Sequence, residues 1–276
     1  MKLTLGFSTC PNDTFIFDAW VNKKIDIEGL EANAILTDVE DLNKRAFHQE
    51  IDITKLSVGA FFQVTGQYSA LTSGSALGRK NGPLVIGKAE CQKISEHGII
   101  AIPGIHTTAN LLFTHFFPEL VLKREMLFSE IEDAVLNDEV VAGVIIHESR
   151  FTFEKKGLVK IADLGELWEN KTGLPVPLGV IAVSKSLPDE IKRKANRVLR
   201  RSIEFALTNP DSSKNFVRKF ACSMDNTIVD KHINLYVNQF TIDLGLEGKE
   251  AIRRLSEVAS ANRIVDKIVD NFFIDE

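Results

Sequence analysis

The chain has 276 residues, 44% hydrophobic and 26% charged, with a net charge of −5, which suits one large or two medium globular domains and excludes a strongly basic nucleic-acid-binding surface. No stretch approaches the roughly 20 apolar residues of a membrane span, so neither nucleic acid nor membrane is an expected partner. Cys10, Cys91 and Cys222 are odd in number and far apart, which fits neither a disulfide framework nor a metal knuckle; the first residues lack the apolar core and cleavage site of a secretory signal, and a reducing cytoplasm is the expected compartment.

In chain order, residues 3–7 read as a short buried strand, followed by a polar loop and a helix over 14–21. A helix is predicted over 41–50, an alternating β-branched strand over 51–56, a helix over 58–64 and a short strand over 84–86. The same order then recurs: strand 98–102, the small-polar loop "PGIHTTAN" at 103–110, an apolar helix over 111–117 closed by Pro118, a helix over 130–137 and a strand over 140–146. Beyond "GLPVPLGVIAV" (173–183) the chain turns helical, with helices expected over 189–207, 212–221, 225–237 and 249–260. The densest basic run, Lys192 to Arg201, is interrupted by Ala195, Val198 and Leu199 and reads as a solvated helix face.

Alternating strands and helices predict an α/β protein with mostly parallel sheets. In such sheets ligands gather at the carboxyl ends of strands. Two lobes are expected, with the late helical segment returning to cover the first. The larger would comprise residues 1–88 plus 182–276 and the smaller 89–181, joined by crossings near 84–88 and 179–184. The strand ends would then face each other across a ligand cleft.

Four loop tips could line that cleft. The first, "STCPNDT" (8–14), supplies Ser8, Asn12 and Asp13. The second is Lys55-Leu56-Ser57. On a strand Lys55 and Ser57 share a face; Lys55 either contacts a ligand or snorkels to solvent, and Ser57 either caps its helix or donates to a ligand. The third is Thr107-Thr108-Ala109, where a threonine is a helix cap and the exposed N–H groups suit a carboxylate or phosphate. The fourth is His147, which ends the apolar run "VVAGVIIHE". Imidazole is the side chain whose unperturbed charge change falls near neutral pH, so His147 is either a proton acceptor or a hydrogen-bonded boundary residue. Glu148, next along an extended strand, would project to the other face. His48, His97 and His232 read as polar helix or loop residues, whereas His106 could line the cleft.

No metal-ligand spacing, phosphate loop or dinucleotide fingerprint occurs. The glycine-rich "GSALGRKNGP" (74–83) reads as a turn before a strand that could line the cleft. No cofactor or metal is therefore expected. A cofactor-independent reaction or plain binding remains.

Six blocks in order carry a resemblance: "STCPNDTFIF", "DITKLSVGAF", "SGSALGRKNGPLVI", "PGIHTTANLL", "GVIIHESRFTFEKKGL" and "TGLPVPLGVIAV". Together, from residue 8 to 183, the sequence resembles the 1,4-dihydroxy-6-naphthoate synthase family of the futalosine route to menaquinone. The resemblance implies a two-lobed fold like the type 2 periplasmic binding proteins. It also implies a lyase converting cyclic dehypoxanthinyl futalosine, an aromatic carboxylate, to 1,4-dihydroxy-6-naphthoate and dihydroxyacetone. Its proton acceptor would be His147, and its substrate-contacting blocks fall on Lys55, Leu56 and Ser57 and on Thr108 and Ala109. Cys10 and Phe153 stand where other residues would also be accepted. Rival readings are a chorismate-dehydratase-like enzyme of the same pathway and a non-catalytic solute-binding protein.

Overall fold

The computed structural model describes residues 1–90, 94–221, 225–265, 268–269 and 272–274. Cys91 and Cys222 lie outside them. The chain opens with β1 (Lys2–Phe7) and α1 (Pro11–Val21), which starts at Pro11, where a missing N–H costs nothing. Next come β2 (Glu31–Leu36), α2 (Val39–Phe47), β3 (Ile53–Ser57), α3 (Val58–Gln63), β4 (Tyr68–Ala70) and β5 (Ala76–Gly78). Asp38 caps α2 by accepting from the Glu40 N–H, satisfying one of its orphan donors.

The middle of the chain forms β6 (Leu84–Lys88), β7 (Ile100–Ile102), α4 (Thr108–Phe116), β8 (Lys123–Glu125), α5 (Ile131–Leu136) and β9 (Ala142–Ile145). Two 3-10 turns follow, His147–Phe151 and Phe153–Lys156, before β10 (Leu158–Asp163) and α6 (Leu164–Thr172). The long strand β11 (Val176–Ser184) leads to the helices α7 (Asp189–Thr208), α8 (Pro210–Phe220), α9 (Asn226–Tyr236), α10 (Gln239–Ile242) and α11 (Gly245–Ala261).

These strands build two sheets. One has the order β2-β1-β3-β11-β4, with β5 also paired to β11; the other has the order β10-β6-β9-β7-β8. The chain thus passes from the first sheet to the second between β5 and β6, and returns in β11. The expectation of mostly parallel sheets is corrected. β1 runs parallel to β2 and β3, and β7 to β8 and β9, but β6 and β11 are antiparallel to all their partners. Parallel neighbours need a crossover returning the chain to the same end of the sheet. Strands arriving from the other sheet enter from the opposite end.

The helical third follows its apolar spacing. On α7 the residues Ala195, Val198, Leu199, Ser202, Ile203 and Ala206 are buried, a stripe with helical period. It packs in the same core as Phe7, Phe17 and Trp20. Its basic residues face outward in ion pairs, including Arg197 and Arg201 with Glu28. A second core joins the two sheets, with Leu56, Phe61 and Val180 beside Val85, Ile100 and Phe113.

The first crossing is held by a close backbone approach. A Cβ on Gly82 would lie 2.3 Å from Gly165 Cα and 2.4 Å from Gly165 N. The Arg150 guanidinium bonds the Gly82 carbonyl, the Lys80 carbonyl at 2.8 Å and Asp163 Oδ2 at 3.2 Å. Asp163 in turn caps α6. Gly82→Ala must push two backbones apart and is expected to lower stability by about 1–3 kcal/mol. Urea unfolding checks this; a wild-type midpoint would show that the approach relaxes freely.

Candidate active site

The loop after β1 enters α1 around a buried carboxylate. Asp13 is 1% exposed, and burial without partners would be costly. Its Oδ2 accepts from Ser8 Oγ at 2.7 Å and from the Ser8 N–H at 3.3 Å; its Oδ1 accepts from Asn12 Nδ2 at 2.8 Å and from Lys55 Nζ at 2.9 Å. Lys55, on β3, is therefore not a snorkelling lysine. It is 5% exposed and forms a buried ion pair that ties β3 to the first loop.

Ser57 ends β3 at the N-cap position of α3, yet its side chain makes no capping bond. The hydroxyl accepts a long 3.4 Å bond from Asn43 Nδ2, and Asn43 Oδ1 accepts from the Ser57 N–H at 3.0 Å. Among the described residues none accepts the hydroxyl proton of Ser57, which leaves it for a ligand. Asn43 is itself held by Glu40, which accepts from it at 2.9 Å. Burial pushes the Glu40 carboxyl above its ordinary range.

Across from these groups lies the start of α4. Thr107 is the cap: its hydroxyl accepts from the Asn110 N–H at 3.2 Å and donates to the Gly104 carbonyl at 2.7 Å. The Thr108 hydroxyl donates to the Leu178 carbonyl at 2.8 Å and accepts from the Gly59 N–H at 3.2 Å, locking α4 against β11 and α3. The N–H groups of Thr108 and Ala109 are the first two of the helix, where no preceding carbonyl is in place to accept them. They suit an anionic or carbonyl oxygen.

His147 lies two residues past the end of β9 and begins a 3-10 turn, so the extended reading of this tip is corrected. Its φ of 57° is a left-handed conformation that costs a residue with a Cβ on the order of 1–3 kcal/mol. The ring meets Phe128 edge-on at 4.9 Å and lies 6.1 Å from the His232 ring, the planes 21° apart. Cys10 Sγ, from the first lobe's opening loop, sits 3.4 Å from His147 Nδ1. The neighbours of His147 diverge from it: Arg150 binds the crossing, and Ser149 Oγ donates to Glu132 at 3.2 Å. The Glu148 side chain lies outside the described residues.

Ser8, Asn12, Asp13, Lys55, Leu56 and Ser57 from one sheet's loops, and Thr107, Thr108, Ala109 and His147 from the other's, all line one cavity. His106 is not on it. Its ring packs on Phe47 at 4.7 Å and its Nδ1 lies 3.2 Å from Gln63. Among the described residues no cluster of three or more His, Cys, Asp or Glu side chains could hold a metal ion, and no helix is long and apolar enough to cross a membrane.

Several lining residues escaped sequence reasoning. Leu178, Gly179 and Ile146 supply apolar wall, whereas Ala76 and Asn81 come from the glycine-rich stretch that the sequence already offered as a cleft-lining turn. The most consequential is His232 on α9, expected as a polar helix residue but 0% exposed. The signal for it existed: Val229, His232 and Tyr236 are the buried residues of α9, spaced three and four apart on one face. Burial, with His147 and Lys55 nearby, pushes the His232 imidazole well below the usual histidine range, so the ring is neutral.

A two-lobed α/β protein with its ligand cavity between the sheets is the class this geometry defines. The likeness to the periplasmic aliphatic sulphonate binding protein of Escherichia coli is of the fold alone, with a TM-score of 0.69, 10% identity and coverage of 100% of this chain and 92% of that one. A solved protein from Archaeoglobus fulgidus matches with a TM-score of 0.90 and 33% identity over 96% of this chain and 98% of its own. The menaquinone biosynthesis family model matches residues 3–261, and the chain belongs to that family. It is 41% identical to the 1,4-dihydroxy-6-naphtoate synthase of Thermus thermophilus, over 94% of each chain, and 38% identical to that of Streptomyces coelicolor, over 95% of this chain and 94% of the other.

Breaking the Asp13–Lys55 pair leaves a buried charge without its counter-ion. Lys55→Met is expected to lower stability by about 3–5 kcal/mol, and adding Asp13→Asn should recover part of that loss in urea unfolding. Additive losses would contradict the pairing.

Proposed function

We propose that the chain is a 1,4-dihydroxy-6-naphthoate synthase, a carbon–carbon lyase that converts cyclic dehypoxanthinyl futalosine to 1,4-dihydroxy-6-naphthoate and dihydroxyacetone. The observation that carries the reading is the meeting, across one cavity, of His147 from one sheet with the Lys55–Ser57 edge from the other, in a chain 41% identical over nearly its full length to a protein of that name. As a biosynthetic enzyme it would work in the cytoplasm on a small aromatic carboxylate.

The roles follow from the chemistry of each group. The N–H groups of Thr108 and Ala109 hold an anionic or carbonyl oxygen of the substrate at the start of α4, aided by the helix dipole. Ser57 donates its hydroxyl to another polar edge, and Lys55 with Asp13 keeps that edge in place. His147 takes a proton from the substrate, the carbon–carbon bond to the sugar-derived fragment breaks, and the bicyclic ring becomes aromatic. Aromatisation supplies much of the driving force. Burial of the site between two lobes excludes water and fixes the fragments in position.

A positioned base contributes about 10²- to 10⁴-fold to rate. His147→Ala should lower turnover of cyclic dehypoxanthinyl futalosine by that factor while leaving circular dichroism and melting unchanged. Turnover within tenfold of wild type in a folded variant would place the base elsewhere. Release of dihydroxyacetone separates this enzyme from a chorismate dehydratase, assayed in parallel on chorismate, and from a binding protein, which would return the ligand intact.

A further inference from the structure

His232 carries a vacancy that the reaction just described does not use. Its Nε2 lies 2.9 Å from Asn12 Oδ1. Asn12 cannot be turned over: its amide nitrogen donates to Asp13 at 2.8 Å, and the Asp13 carboxylate, already accepting from Ser8 and Lys55, offers only acceptor atoms to that bond. The oxygen of Asn12 therefore faces His232, and the imidazole proton must sit on Nε2. On a neutral ring the other nitrogen, Nδ1, is then a bare acceptor. Nδ1 is buried and has no hydrogen-bond partner among the described residues, on a side chain that lines the cavity. A buried acceptor left unmet is destabilising. Such a vacancy beside a binding cavity calls for a ligand donor.

We infer that His232 is a substrate-contacting residue, its Nδ1 accepting a hydrogen bond from a hydroxyl of the sugar-derived part of the substrate. The assignment rests on the activity proposed above. That fragment is the part of the substrate that departs with hydroxyl groups, and hydroxyls are donors a neutral imidazole can accept. The His147 ring lies nearly parallel at 6.1 Å, so a hydroxyl held by His232 is kept beside the group that takes the proton. The chain Asp13, Asn12, His232 thus transmits the position of one buried carboxylate to the tautomer of an imidazole. His232 holds the substrate; it is not asked to remove a proton.

Two substitutions divide the ring's functions. Glutamine can present its amide N–H near the position of Nε2 and keep the bond to Asn12, but it has no acceptor at Nδ1. Asparagine can present its amide oxygen near the position of Nδ1 and loses the bond to Asn12. On cyclic dehypoxanthinyl futalosine, His232→Gln should lose about tenfold in kcat/KM, a single neutral hydrogen bond left unmet, with its melting temperature little changed. His232→Asn should regain several-fold over His232→Gln. As a readout that keeps the His232 ring in place, 15N-histidine-labelled protein carrying His147→Asn, checked for a wild-type fold by circular dichroism, should show His232 Nδ1 as an unprotonated nitrogen whose resonance moves upfield when the substrate is added. A His232→Gln variant within twofold of wild type, or an Nδ1 resonance that is protonated or unmoved by substrate, would overturn the assignment and leave the proposed activity standing. A wild-type protein that does not turn over this substrate would overturn the activity, and this assignment with it.

Discussion

The polar wall of the cleft depends on one buried negative charge. Asp13 is all but closed to water, so its oxygens must be met from within the protein. Ser8, Asn12 and Lys55 meet them, and all three also line the cavity. The carboxylate therefore fixes the path of the first loop, draws the Lys55 side chain out of line with an ordinary strand lysine, and sets which end of the Asn12 amide faces His232. Asn43 plays a comparable part for Ser57, held from below by Glu40. Satisfied buried networks of this kind are rigid, and rigidity is what a site needs if it is to place a substrate within hydrogen-bond tolerance of a base.

Against this rigid wall stands His147, carried by the other sheet on a left-handed backbone. Strain of that kind persists only where the surroundings over-determine it. Here Phe128 packs on the ring and Cys10 reaches it from across the cleft. That contact between the opening loop of one sheet and the strand end of the other puts the two halves of the site in direct touch. It is consistent with chemistry in a cleft shielded from solvent, where electrostatic contacts are stronger.

Much of this was legible in the sequence because loops at strand ends have a local grammar. Small polar residues before an apolar helix pattern marked the Ser8–Asp13 and Thr107–Ala109 tips, and a histidine at the end of an apolar run marked His147. What stayed hidden was decided by partners distant along the chain. Lys55 could be read as a snorkelling residue because Asp13, its counter-ion, is 42 positions away. His232 is 220 positions from the Asn12 oxygen that fixes its tautomer, and only its place in the Val229–Tyr236 stripe hinted at burial. The antiparallel entry of β6 and β11 was invisible for the same reason: strand direction is set by which sheet the chain has just left. Local spacing also could not show that Ser57 declines to cap α3 while Thr107 caps α4, since both sequences permit a cap.

The most direct test of the whole account is a crystal structure of the protein with 1,4-dihydroxy-6-naphthoate bound. The account predicts the bicyclic ring in the cavity between His147 and the Lys55–Ser57 edge, with one of its oxygens within about 3 Å of the Thr108 and Ala109 N–H groups. Density for the naphthoate in any other hollow of the molecule, or in this one with its ring turned away from the His147 imidazole, would contradict it.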